Sequence, residues 1–290
     1  MDNTLTTYSR RFTLENLDIR GQVVRLTDVW QRMHADRGYP APILSFLGEL
    51  ACVAVLIGTG LKQSGRAALQ IQRGGQPGAP LAVVDCTDQL ALRGMARVDE
   101  SAPSATFSEW VAGGTLAMTL SHANSAQMYQ SIVPISGLTV AECFEHYFDQ
   151  SEQLPTHLWI AADEHGAGAL LLQKLPDADR KDPDGWARME QLAASVTPRE
   201  LIAFPAEAML HRLFNQEDVR LYSAKPITYA GVRDEEKVKA MLRQLGRAEL
   251  EATLAELGEI VVKDDICNEE YRFDAAAVEA LLSEEAGNEH

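Results

Sequence analysis

Apolar and polar residues alternate at two places near the start of the chain, Phe12-Thr13-Leu14 and Gln22-Val23-Val24-Arg25-Leu26, and the alternation predicts two strands. Asp28 to Arg37 reads as a short helix closed by Gly38, and Pro40 and Pro42 lead into a nearly all-apolar stretch from Ile43 to Leu61. Glu49 interrupts that stretch, Gly48, Gly58 and Gly60 lie within it, and no basic residue beyond Lys62 flanks it. It is therefore expected to be a buried core helix rather than a membrane span. Five short strands follow, at Ala67–Gln72, Leu81–Asp85, Leu92–Val98, Thr115–Leu120 and Tyr129–Ile135. Turn chemistry at Arg73–Gly78 and at Gly113-Gly114 separates several of them. Thr139 and Glu142 have the spacing of a capping box that starts a helix running to Gln150, and strands follow at Thr156–Ala162 and Ala169–Leu175.

The pattern changes at Pro176. Asp177–Asp184 is polar and bounded by prolines, as a linker would be; helices are then expected at Trp186–Ser195, after a second capping box at Thr197 and Glu200, and at Ala206–Asn215. The end of the chain reads as helices at 234–245 and 247–257, a hairpin from Glu259 to Phe273, and a closing helix capped by Asp274. The expected class is α+β, in three regions: a sheet-rich body at 1–176 with helices to one side, a linker and helical connector at 177–230, and a small α+β domain at 231–290.

Charge sharpens the last boundary. The chain of 290 residues carries a formal charge of -16, and residues 231–290 hold 16 Asp and Glu against 7 Lys and Arg. So acidic a surface excludes nucleic acid and anionic membrane as main partners. The start, Met1-Asp2-Asn3-Thr4, has neither a basic nor an apolar leader region, which points to the cytoplasm. Cys52, Cys86, Cys143 and Cys267 are too scattered for a disulfide framework or a zinc knuckle; the first three are expected to be buried structural thiols.

Candidate chemistry is sparse. The glycine-rich Arg73–Gly78 run lies between strands, not before a helix, and reads as a hairpin loop rather than a phosphate cradle. Asp163-Glu164-His165 with Gly166 reads as a turn, and His146 as a surface residue near a helix end. No constellation for catalysis is present, so no enzyme activity is expected.

Several segments together resemble the heat-shock protein 33 family, the redox-regulated holdase chaperones also called 33-kDa chaperonins. They are Phe12-Thr13-Leu14-Glu15-Asn16 with Ile19-Arg20-Gly21, Tyr39-Pro40-Ala41-Pro42, Leu92-Arg93-Gly94-Met95-Ala96-Arg97-Val98, Tyr147 through Thr156, Leu257-Gly258-Glu259-Ile260 and Tyr271-Arg272-Phe273. The resemblance implies an ATP-independent chaperone that binds unfolding client proteins, with a sheet domain, a metastable helical linker and a redox-switch domain. It also allows a homodimer. In typical members four thiolates hold zinc and fold the switch domain until oxidation releases the metal.

Here the resemblance fails at its decisive point. The positions matching the zinc ligands are Gly231, Arg233, Asp264 and Cys267, so one thiol of four remains. Glycine offers no donor and arginine repels a cation. The expectation is no zinc, no disulfide switch, and a small domain held by packing of Leu242, Leu245, Leu250, Leu254, Leu257, Ile260, Val262, Tyr271, Phe273, Val278, Leu281 and Leu282. Trp186, Met189, Leu192, Leu201, Ile202 and Phe204 are the candidate client-binding residues. Two rival readings stand beside the holdase. One is a module with a single dedicated partner. The other is a thiol sensor at Cys267 or Cys143, which the acidic neighbours of Cys267 disfavour.

Overall fold

The apolar stretch becomes helix α2 (Ala41–Gly60), preceded by α1 (Asp28–His34), and it is the axis of the body. In the computed structural model, which describes residues 6–72, 81–97, 107, 111, 113–122, 128–135, 137–231 and 234–286, α2 packs against strands of two sheets at once. Being covered on both sides, it is buried nearly all round, through Ile43, Phe46, Leu47, Leu50, Ala51, Val53 and Val55. The helix is long and apolar enough to cross a membrane, but its place is the core. Its one carboxylate, Glu49, accepts a hydrogen bond from Ser45 at 3.0 Å, and burial pushes it up to about 7.

The first sheet has the order β10-β1-β2-β9-β8, with β11 also on β1: β1 is Tyr8–Leu14, β2 Ile19–Leu26, β8 Thr156–Ala162, β9 Ala167–Lys174, β10 Val219–Leu221 and β11 Lys225–Pro226. The second has the order β12-β5-β4-β3-β6-β7: β3 is Gly65–Gln72, β4 Leu81–Thr87, β5 Ala91–Arg97, β6 Thr115–His122, β7 Met128–Val133 and β12 Thr228–Tyr229. Among the described residues all pairings in the two sheets are antiparallel except β12 on β5. Helix α3 (Val140–Glu152) starts at the expected capping box: the Thr139 hydroxyl accepts the Glu142 N–H at 3.2 Å, and Glu142 reaches back to the Thr139 N–H at 3.3 Å. The loop at Arg73–Gly78 lies outside the described residues. Asp163 turns β8 into β9, its Oδ1 accepting the N–H groups of His165 (2.7 Å) and Gly166 (3.0 Å).

Two compact units result, residues 1–230 and 231–290. The stretch read as a connector packs into the first. It forms α4 (Ala178–Lys181), α5 (Gly185–Ala193), α6 (Pro198–Ala203) and α7 (Ala206–Phe214), then lends β10 and β11 to the first sheet and β12 to the second. In the second unit α8 (Glu235–Leu245), α9 (Arg247–Leu257) and α10 (Ala275–Ala286) pack on the hairpin β13 (Ile260–Asp264) and β14 (Glu269–Phe273). Its core holds Leu242, Leu250, Ile260, Tyr271, Phe273, Val278, Leu281 and Leu282 as expected, with Leu254 and Val262 at its margin. Leu245 and Leu257 do not join it. Each is the last residue of its helix, and they are 48% and 66% exposed.

Candidate functional site

The first sheet presents an apolar face made by Phe12, Leu14, Ile19, Val23, Leu170 and Leu172, and the connector helices cover it. Each helix does so through its own short stripe. In α5 the buried residues are Gly185, Met189 and Ala193, spaced by four, while in α7 they are Ala206, Met209, Leu210, Leu213 and Phe214. Helix α6 is too short for much of a stripe and is held instead by its ends. Thr197 and Glu200 form the second capping box, Pro198 is its first residue, and the Glu200 carboxylate is ion-paired with Arg212 of α7. Burial opposes ionisation of Glu200, yet hydrogen bonds from Thr197 and the Arg212 charge hold it below the usual range.

The six sequence candidates divide within this layer. Met189 (0% exposed) and Leu201 (5%) are core residues with the connector docked. The cause is the covered sheet face, which an apolar stripe in the sequence cannot disclose. Trp186, Ile202 and Phe204 are half-buried at its margin, and Leu192, off the α5 stripe, is exposed at 38%. Five of the six thus belong to one seam between sheet and connector, and Leu192 stands outside it.

Backbone contact sets how closely that seam closes. A Cβ on Gly168 of β9 would overlap the carbonyl oxygen of Leu201, so only glycine lets α6 sit on the strand. Polar ties pin the rest of the connector: Lys181 to Asp18 (2.7 Å), Arg188 to Asp182 (2.9 Å) and Glu217 (3.2 Å), and the Ala206 N–H donated to the Tyr8 hydroxyl (2.8 Å). Most are ion pairs near solvent, where screening leaves them weak.

One tie titrates. His157 of β8 has Nδ1 3.5 Å from Glu145 of α3 and Nε2 3.2 Å from Glu190 of α5, with the Trp186 ring stacked on it at 5.6 Å. The hydrogen bond with Glu145 and the two carboxylate charges raise its pKa, against a smaller opposing effect of burial. Because the folded value lies above the unfolded one, the charged tie contributes fully below about pH 6.5 and is lost as pH rises through the raised value. Amide exchange in α5, corrected for intrinsic rates, is therefore expected to accelerate a few-fold more between pH 6.5 and 8.5 in the parent than in His157→Asn. Identical pH profiles would rule the tie out. Nothing in the sequence distinguished His157; its partners come from elements far apart in the chain.

In the second unit one of the positions matching zinc ligands has another role. Asp264 ends β13, where its Oδ1 accepts the N–H groups of Ile266 (3.0 Å) and Cys267 (3.2 Å) and so shapes the hairpin turn. Gly231 carries no side chain, and Arg233 lies outside the described residues. Among the described residues no three His, Cys, Asp or Glu side chains form a metal-holding group. A donor set of one thiolate and one turn-forming carboxylate does not fit tetrahedral zinc. Cys52, Cys86 and Cys143 are buried, so these three lack the solvent access a sensor thiol needs, and burial pushes the Cys86 thiol up to about 12.

Comparison with known proteins is consistent across the chain. The Hsp33 protein family pattern matches residues 7–274. The 33 kDa chaperonin of Methylobacillus flagellatus is 37% identical over 282 residues, covering 97% of this chain and 96% of that protein. That of Nitrosococcus oceani is 37% identical over 277 residues, covering 95% and 94%. In structure the chain resembles the 33 kDa chaperonin of Thermotoga maritima, with a TM-score of 0.76 over 97% of this chain and 100% of that one at 21% identity, a likeness of fold.

Proposed function

The chain belongs to the Hsp33 family and is a holdase chaperone for unfolding proteins, and from that premise we propose that it holds its clients in the cytoplasm without the family's zinc and disulfide switch. The client surface is the apolar seam between the first sheet and the connector, including Trp186, Met189, Leu201, Ile202 and Phe204, with Leu192 beside it. The observation that carries this reading is the cover itself: an extensive apolar sheet face lies under short helices held partly by exposed ion pairs. Such a cover opens at a free-energy cost below that of global unfolding. Opening exposes both halves of the seam together, which gives the extended apolar area that sequence-indifferent capture requires. Neither the seam nor its ties call on a nucleotide.

The zinc-free part of the proposal is supported by the donor chemistry of Gly231, Asp264 and Cys267 and by the apolar core of residues 231–290, which gives that unit an internal reason to fold. The trigger that replaces oxidation is then physical: heat, acting on a small core and on ties that weaken with pH and salt.

Light scattering of a heat-unfolded client tests this, with the protein fully reduced and a strong chelator present. Suppressed aggregation is expected, unchanged by chelator, and the melting temperature should move by less than about 1 °C on adding zinc or chelator, since a ligand shifts stability only by binding the native state. A structural zinc would give a drop of many degrees with chelator and would end the zinc-free reading. Absence of holding in the reduced state, after heating and after hypochlorite would shift the weight to a module with one dedicated partner.

A further inference from the structure

The first sheet has a second face, opposite the seam. There α2 covers Val24 and Leu26 of β2 and Ala169 of β9, and the helix stops at Gly60. Past its end a cleft of about 1210 Å³ opens between the two sheets, lined wholly by residues of the first unit. Alternation along the strands carries the same sheet face into it, and there the face turns polar: Arg11 lies opposite Gln22, Arg20 opposite Gln173, and Ser9 opposite Lys225. Ser9, Gln22 and Gln173 are buried; Gln22 donates to Ser9 at 2.7 Å, and Arg20 to Gln173 at 2.7 Å. The facing wall is apolar, built from Leu56 and Leu61 at the end of α2, Leu120 of β6, and Tyr147 and Phe148 of α3. A face meant only for the core is apolar throughout, whereas an apolar wall with a few convergent polar groups is the ordinary make-up of a ligand site.

Charge selects the ligand. Arg11, Arg20, Lys62 and Lys225 line the cleft with one carboxylate, Glu152, in a chain of 42 Asp and Glu against 26 Lys and Arg. Glu152 is already held, 3.4 Å from Arg20 and accepting from Gln173 at 2.9 Å. Lys174, Lys181 and Lys239 pair with carboxylates, but Lys62 and Lys225 have no such partner among the described residues. The C-terminal carbonyls of α2 disfavour an anion, and Arg11 offsets them by donating to the Thr59 carbonyl at 2.6 Å. We propose that the cleft binds an amphipathic anion: one acidic head group, carboxylate or phosphate, on a single apolar chain. The head pairs with Lys62, Lys225 and Arg11, and the chain lies against Leu56, Leu120 and Phe148. A compact polyanion would leave the apolar wall bare, and an uncharged chain would leave the lysines unpaired. The overall charge of -16 repels such anions from the rest of the surface, so the cleft is where they collect.

Isothermal titration of the whole, reduced chain with dodecanoate, below its micelle concentration, tests this. One-to-one binding is expected, with a dissociation constant on the order of 10 µM. Dodecyl maltoside, which has the chain without the charge, and inorganic phosphate, which has the charge without the chain, should each bind at least tenfold more weakly. Lys62→Glu with Lys225→Glu should weaken dodecanoate at least tenfold and leave the melting temperature unchanged, both side chains being exposed. Lys237→Glu with Lys263→Glu makes the same change in net charge at exposed lysines of the second unit and should weaken it less than twofold. Dodecyl phosphate is titrated beside dodecanoate; the tighter of the two identifies the head group, and the proposal stands with either. Binding of neither, several molecules bound per chain, equal loss in the two double variants, or dodecyl maltoside bound as tightly would each overturn it.

Discussion

Replacing Gly168 with alanine is expected to lift the connector off the first sheet while both sheets stay folded. The new methyl must occupy the place of the Leu201 carbonyl, and backbone in a capped helix has no rotamer by which to yield. Overpacking of this kind costs about 1–3 kcal/mol. Here α6 can escape the whole cost by undocking, since its hold on the body is a short helix face and the Arg25 hydrogen bond to the Ile202 carbonyl, while the Glu200–Arg212 pair ties it only to α7. Amide exchange over residues 198–203 should rise by one to two orders of magnitude, each tenfold corresponding to about 1.4 kcal/mol. Reduced, unheated variant should suppress client aggregation where the parent needs warming. Parent-like protection at 198–203 would mean that the strand shifts instead. Faster exchange without added holding would detach the seam from client capture.

Tyr271→Ala is expected to unfold residues 231–290 alone. Tyr271 is 1% exposed at the centre of that unit, and its hydroxyl accepts the Asp234 N–H at 2.8 Å, just where Asp234 caps α8 through the Lys237 N–H. Removing a large buried aromatic side chain costs about 3–5 kcal/mol. A core of this size rarely supplies more than that. Heteronuclear NMR should show the resonances of 231–290 collapse to random-coil positions at 25 °C, with the body's dispersion intact. Tyr271→Phe, which keeps the ring, should lower the unit's stability by only about 1 kcal/mol. A folded Tyr271→Ala unit would mean that its stability has another source, a bound metal foremost.

What could be read in the sequence was local chemistry. The two capping boxes, the turn at Asp163, the apolar core helix and the closing cap at Asp274 each depend on residues within a few positions of one another, and each is found where expected. Strands β10 to β12 were invisible because three residues or fewer carry no period, and only a waiting sheet edge makes them strands. For the same reason the sequence offers Met189 and Leu201 only as apolar candidates: an apolar stripe does not say what lies over it. His157 and Gly168 owe their interest to neighbours brought by topology, Glu190 and Leu201, which lie more than thirty positions away along the chain.

The placement of β10, β11 and β12 gives the connector a fixed return point. Helices α4 to α7 leave the body at β9 and come back to it as strands in both sheets, so they move as a loop anchored at both ends. Closing such a loop costs an entropy that grows only with the logarithm of its length. The lid therefore competes for its own seat at an effective concentration of about millimolar, however dilute the protein. If clients bind the seam as proposed, one outlasts the lid only by offering more apolar surface than the lid does. As a client refolds and buries that surface the balance reverses, and a tethered competitor that never diffuses away would time its release without fuel.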